Sequence, residues 1–227
     1  MAREISGISS MATRNALAAL AGLFAATEGQ PVRVESVGGV TAADRIRAGE
    51  AFDFVVLARD ALQKLEKEGH LVPGSLVDVA QSPMAVAVRS GAGCPDIADE
   101  ASFRNLVEGA ASIGYSTGPS GAHFQKLLAK WGLSERLADR LTVAPPGVPV
   151  AELIARGTVQ IGVQQLSELA GAPGIDVVGE LPADVQSITT FSAAVCARAS
   201  SRPAAEAFLR FLIAPAASES KRQFGLL

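Results

Sequence analysis

Four short turns carry hydroxyls or bare backbone N–H groups just ahead of helical segments. They are Ser9-Ser10, the stretch 36–41 around Gly38-Gly39, the stretch 116–121 ending in Ser120-Gly121, and the stretch 145–148 ending in Gly147-Val148. A helix amino terminus presents N–H donors that have no partner inside the helix, and the helix dipole adds partial positive charge, so each such turn suits an anion. Ser, Thr and Gly at these places also serve simply as helix caps, and any one turn taken alone reads that way. Several turns where strands feed helices favour binding, because open α/β sheets hold ligands at the carboxyl ends of their strands.

Enzyme motifs mostly fail. The segment Gly118-Pro119-Ser120-Gly121 lacks the spacing of a nucleophile elbow, and His70 and His123 are the sole imidazoles, which leaves a Ser/His/Asp triad few options. There is no phosphate-binding loop of the Gly-x-x-x-x-Gly-Lys type and no Gly-x-Gly-x-x-Gly dinucleotide turn. Cys94 and Cys196 have no Cys or His at metal-ligand spacing, so neither a metal nor a cofactor is expected and the two residues read as free thiols.

These turns need a scaffold, and the composition supplies one. Of the 227 residues, 48% are hydrophobic and 19% charged, which fits a folded globular chain rather than a disordered one. With 20 Lys and Arg against 23 Asp and Glu, the net charge is −3 and no basic run exists; a nucleic-acid partner is not expected. No apolar run approaches the roughly 20 residues of a membrane span. The run 16–26 has the length of a leader's apolar core, but the polar, acidic stretch before it and the spacing of Leu17, Leu20 and Phe24 predict the first helix of the fold, with no export signal in this chain.

Extended and helical patterns alternate beyond it. Strands are predicted at 32–35, 52–58, 84–88, 112–116, 141–144, 160–164 and 175–178, and helices at 41–48, around Leu62 and Leu65, at 103–107, 124–131 and 150–156, most ending near a Gly. This alternation predicts an α/β protein with parallel sheets. The stretches 84–88 and 188–197 read as two crossings, which would put residues 1–85 and 187–227 in one lobe with both termini and 86–186 in an inserted lobe, around a central ligand cleft. A last helix is predicted over 204–213. Trp131 and Asp53 read as a core residue and a structurally hydrogen-bonded carboxylate.

In order of segments, nearly the whole chain resembles the periplasmic molybdate-binding proteins, within the type II solute-binding fold of ABC transporters. The resemblance rests on Asn15-Ala16-Leu17, on Arg45-Ile46-Arg47-Ala48-Gly49 leading through Phe52-Asp53-Phe54-Val55 to Ala58-Arg59-Asp60, on Ser120-Gly121 and on Ile161-Gly162-Val163. In that family neutral donors hold the oxyanion, which the resemblance carries onto Ser9 or Ser10, Gly38-Gly39, Ser120 and Gly147-Val148. The chain departs from it at Gln164-Gln165, where the molybdate binders place a Tyr hydroxyl, and at Gly38-Gly39, where they have Ser; both departures disfavour molybdate.

The segments 164–169, 173–176 and 115–121 are similar to the aconitate isomerase branch of the same superfamily. Moving an allylic proton in a tricarboxylate needs carboxylate clamps and one acid/base group, without a cofactor. Under that resemblance Ser9, Ser10, Ser120 and Gln165 clamp carboxylates, Arg14 or Arg59 adds a bidentate contact, and Tyr115 or His123 moves the proton. Two readings follow: a solute-binding protein that closes on a small anion, an oxyanion such as molybdate or a di- or tricarboxylate, and, as the rival, a cofactor-free isomerase. The resemblance implies a periplasmic protein working with ABC transporter membrane subunits if a leader has been removed, and a cytoplasmic one if Met1 is the natural start. No direct membrane insertion is expected.

Overall fold

In the computed structural model, residues 3–227 are described and the chain divides into two compact units, Met1–Gln81 with Thr190–Leu227, and Ser82–Thr189. The first contains β1 (Ile5–Ser10), α1 (Arg14–Glu28), β2 (Val32–Val37), α2 (Gly39–Arg47), β3 (Phe54–Ala58) and α3 (Arg59–Lys67). Strand β4 (Val77–Arg89) carries the chain into the second unit. There follow α4 (Glu100–Gly109), β5 (Ile113–Tyr115), α5 (Pro119–Lys130), β6 (Leu141–Val143), α6 (Val150–Ala155), β7 (Ile161–Gln165), α7 (Leu166–Leu169) and β8 (Ile175–Glu180). Strand β9 (Ile188–Val195) returns to the first unit, which α8 (Arg202–Leu212) and α9 (Ser218–Gln223) complete.

The α/β fold class holds, but pairing is not parallel throughout. In the first unit β1 lies between β2 and β3, parallel to both, while β9 adds antiparallel to β3. In the second, β5 lies parallel to β6 and β7, whereas β4 runs antiparallel to both β7 and β8. The parallel pairs are joined by helical crossovers, as parallel neighbours must be. The antiparallel pairs involve the two strands that carry the chain between units, whose direction is set by entry and return.

Apolar clusters cover both faces of each sheet. In the first unit Ile5, Leu17, Leu20, Phe24, Phe54 and Phe208 belong to one cluster, and Ile8, Ile46, Val55, Leu57, Leu62 and Leu65 to the other. The alternation Phe54, Val55, Val56, Leu57 therefore divides between two buried faces, which is why that strand reads as a continuous apolar run. The leader-like run is the core helix α1, whose Leu17, Leu20 and Phe24 are buried. In the second unit Phe103, Phe124, Ile161 and Val163 pack with Trp131 on one face, and Ala85, Val150 and Ile154 on the other. Trp131 meets Phe103 edge-on with ring centroids 5.7 Å apart, and its Nε1 donates to Glu100 Oε1 at 2.7 Å.

Asp53 joins the end of β9 to the sheet of the first unit. Its Oδ2 accepts from the Ser6 N–H at 2.8 Å, and its Oδ1 from the N–H and hydroxyl of Ser200, both at 2.8 Å, and from the Ser201 N–H at 3.0 Å. Burial pushes this carboxyl up, and the donors from Ser6, Ser200 and Ser201 outweigh it, so it titrates below its ordinary 3.8. Both cysteines are free thiols; Cys94 is exposed, and burial with the nearby Asp53 charge pushes Cys196 up to about 12. Among the described residues no helix is long and apolar enough to cross a membrane, and no cluster of His, Cys, Asp and Glu could hold a metal ion.

Candidate functional site

Each unit brings its predicted donors to one sheet edge. In the first, β1 and β2 are parallel and in register, Ser9 opposite Ser36 and Ser10 opposite Val37. Their carboxyl ends therefore place Ser9-Ser10 beside the Gly38-Gly39 turn. Helix α2 starts at Gly39, with Gly38 as its N-cap and no side-chain cap, two residues earlier than the predicted Thr41. The N–H groups of its first turn thus lie at this edge without helical partners. A Cβ at Gly39 would lie 3.9 Å from Ser10 Cβ, so the Ser10 side chain adjoins the start of the helix.

The two serines differ. Ser9 is fully buried, and its hydroxyl is engaged with Ser36 Oγ at 2.8 Å and the Ser10 carbonyl at 3.2 Å. Ser10 is 8% exposed and its hydroxyl has no partner among the described residues. Of the predicted cations, Arg59 is paired with Asp78 at 2.7 Å, and Arg14 is exposed, its Nε 3.5 Å from Asn15 Oδ1.

In the second unit β5, β6 and β7 are parallel neighbours, so their carboxyl ends share an edge with Ser116–Gly121, the Gly147 turn and Gln165. Gly118 is the N-cap of α5 and Pro119 opens it, which puts Ser120 and Gly121 in the first turn. Ser120 is 1% exposed, and its hydroxyl lies 3.5 Å from Ser116 Oγ. Gly121 presses directly on the strand end: a Cβ there would sit 1.5 Å from the Ser116 carbonyl oxygen. The Gly147 turn spends one of its donors internally, since the Val148 N–H reaches the Pro145 carbonyl at 3.0 Å; Gly147 supplies its left-handed residue at φ 80°.

Gln165 ends β7 and is 1% exposed. Its Nε2 donates to Thr189 Oγ1 at 2.6 Å, and its Oε1 has no partner among the described residues. Tyr115 is a core residue, its ring centroid 5.8 Å from that of Phe124, and its hydroxyl accepts from Gln125 Nε2 at 3.0 Å. His123 lies in α5 with Nε2 2.9 Å from the Val185 carbonyl oxygen.

Sequence reasoning did not single out Ser36, Ser116, Ser82, Ser167 or Thr189. Ser82 Oγ accepts from the Ser167 N–H at 3.2 Å, a pairing across 85 residues that no local signal carries. Ser36 stood within a predicted turn, and its role follows once β1 and β2 are paired in register.

A family model described as bacterial extracellular solute-binding protein matches residues 5–227. Aconitate isomerase from Pseudomonas sp is 36% identical over 184 residues, 81% of this chain and 70% of that protein. The molybdate-binding protein of Azotobacter vinelandii is 27% identical over 188 residues, 80% of this chain and 73% of that one. Among solved structures, the periplasmic molybdate-binding protein of Azotobacter vinelandii superposes with a TM-score of 0.83 at 20% identity, covering 98% of both chains. Peb3 from Campylobacter jejuni superposes with a TM-score of 0.71 at 15% identity, again over 98% of both. The family match over nearly the whole length, and two parallel-sheet edges lined with hydroxyls and helix starts, agree: the chain belongs to the bacterial extracellular solute-binding protein family.

Proposed function

We propose that the protein binds a small polycarboxylate, held by hydroxyls and backbone N–H groups rather than by cations. The observation that carries this reading is Ser10 Oγ, a buried hydroxyl without a partner among the described residues, beside the start of α2, which has no side-chain cap. Burying a hydroxyl unpaired is costly, and a carboxylate oxygen at that helix start would satisfy both it and the first-turn N–H groups. Carboxylates are preferred to tetrahedral oxyanions because the identity to aconitate isomerase, 36%, exceeds that to the molybdate-binding protein, 27%. Gln165 and Gly38-Gly39, which stand where molybdate binders offer hydroxyls, support the same preference. If the chain is exported, ABC transporter membrane subunits are the partners this reading implies.

Calorimetric titration with trans-aconitate, citrate, molybdate and sulfate tests it. A saturable one-to-one isotherm with a tricarboxylate is expected; tight molybdate binding with no carboxylate bound would overturn it. Ser10→Ala should weaken the carboxylate by about 1 to 3 kcal/mol. Because that hydroxyl has no partner among the described residues, the melting temperature of the ligand-free variant should not fall.

A second reading, that the same site isomerises aconitate, is favoured by the 36% identity over 81% of the chain. Tyr115 and His123 are its proposed proton carriers. The Tyr115 hydroxyl accepts from Gln125 and so keeps its own proton to donate. NMR of the protein with cis-aconitate should then reveal the trans isomer, with Tyr115→Phe abolishing exchange while binding persists. No exchange by the unaltered protein removes this reading and leaves the first.

A further inference from the structure

The β7–α7 turn concentrates buried polar atoms that have no partner among the described residues: Gln164 Oε1, Gln165 Oε1 and Ser167 Oγ. All three residues have already spent a donor, Gln164 Nε2 on Glu168 Oε2 at 2.7 Å. The Gln165 amide nitrogen is bonded to Thr189 Oγ1 at 2.6 Å, and the Ser167 N–H to Ser82 Oγ at 3.2 Å. The Gln165 atom left without any partner is its carbonyl oxygen, which accepts and cannot donate. It ends β7 at the edge where β5 and β6, parallel to it in the same sheet, also end. A carboxylate oxygen is likewise acceptor-only, so no carboxylate of the ligand can sit against Gln165 Oε1; the group there must bring a hydrogen. An ammonium is disfavoured by the helix starts at this edge, whose partial positive charge selects for anions. A neutral hydroxyl fits.

Resting on the polycarboxylate reading above, we propose that the ligand is a hydroxylated polycarboxylate whose hydroxyl donates to Gln165 Oε1. The oxygen has less than 1 Å² of exposed surface, so bulk water does not satisfy it. Gln165 is then a specificity-determining residue: an analogue lacking the hydroxyl leaves a buried acceptor unpaired, the situation in which binding sites discriminate most strongly.

The test compares citrate with tricarballylate, which has the same three carboxylates and carbon skeleton without the hydroxyl. Calorimetric titration of the unaltered protein should give citrate an affinity higher by about tenfold or more. In Gln165→Leu, checked for native circular dichroism, that preference should fall below about threefold, mainly through loss of citrate affinity. Equal or tighter binding of tricarballylate by the unaltered protein overturns the hydroxyl assignment while leaving the polycarboxylate reading intact. Binding of neither overturns both. If Gln165→Leu does not fold, the comparison on the unaltered protein still decides.

Discussion

Gly121→Ala should destabilise the second unit by about 3 kcal/mol and weaken anion binding with it. The added methyl would stand 1.5 Å from the Ser116 carbonyl oxygen and 2.7 Å from its carbon, a backbone obstacle that no rotamer change relieves. Either α5 lifts from the end of β5 or the turn between them opens. Both movements displace Ser120 and the first-turn N–H groups from the sheet edge. For a chain of this size the change corresponds to a fall of roughly 6 to 12 °C in melting temperature, read by calorimetry. Gly118→Ala is the control three residues away. A Cβ there has only Ser116 Oγ within reach, at 3.6 Å, an ordinary contact, and its φ of −75° suits any residue. That variant should melt within about 2 °C of the unaltered protein. Equal losses in the two would show that the strand end tolerates the methyl.

Asp53→Ala should cost about 1 to 3 kcal/mol, because it removes the buried carboxylate that accepts from the part-buried N–H groups of Ser6, Ser200 and Ser201. The sign of the pH dependence follows from the direction of the shift. The folded-state pKa is depressed below the ordinary 3.8, so the carboxylate's contribution is fully present above that value and is lost as pH falls through the folded-state pKa. The difference in denaturation free energy between the unaltered protein and Asp53→Ala should therefore be constant from pH 7 to about pH 5 and shrink below pH 4. A difference that grew on acidification would contradict the assignment. The mutated site lies at the join of β3 and the end of β9, remote in sequence from Ser120, which separates this loss from that of Gly121→Ala.

Much of the scaffold was legible because its signals are local. Leu17, Leu20 and Phe24 mark one face of α1, and all three are buried; the apolar run at β3 reflects a strand covered on both faces. Strand β4 was read only over 84–88, although it begins at Val77, because Asp78, Gln81 and Pro83 interrupt its pattern. The capping box that starts α4 pairs Asp99 with Ser102, a reciprocal use of two short side chains that composition alone does not distinguish from a loop. Strand direction was the least legible feature: antiparallel pairing of β4 and β9 depends on where the chain crosses and returns, which no window of sequence contains.

At the candidate site, residue type and placement were legible and commitment was not. Ser9 and Ser10 are adjacent and chemically identical, yet one hydroxyl is taken by Ser36 across the β1–β2 register and the other is left unpaired. Gln165 reads as an amide able to donate or accept; Thr189, 24 residues away, takes the nitrogen and leaves the oxygen. Tyr115 and His123 read as possible proton carriers, and their bonds to Gln125 and the Val185 carbonyl emerge only from tertiary packing.

Uncharged hydroxyl and N–H donors, not cations, are proposed to hold a carboxylate ligand. That proposal is tested most directly by following backbone and side-chain amide resonances of ¹⁵N-labelled protein during titration with citrate. Saturable shifts are expected at Gly39, Val40, Ser120, Gly121 and the Gln165 side-chain amide. Shifts confined to residues around Arg and Lys side chains, with those amides unmoved at saturation, would contradict it.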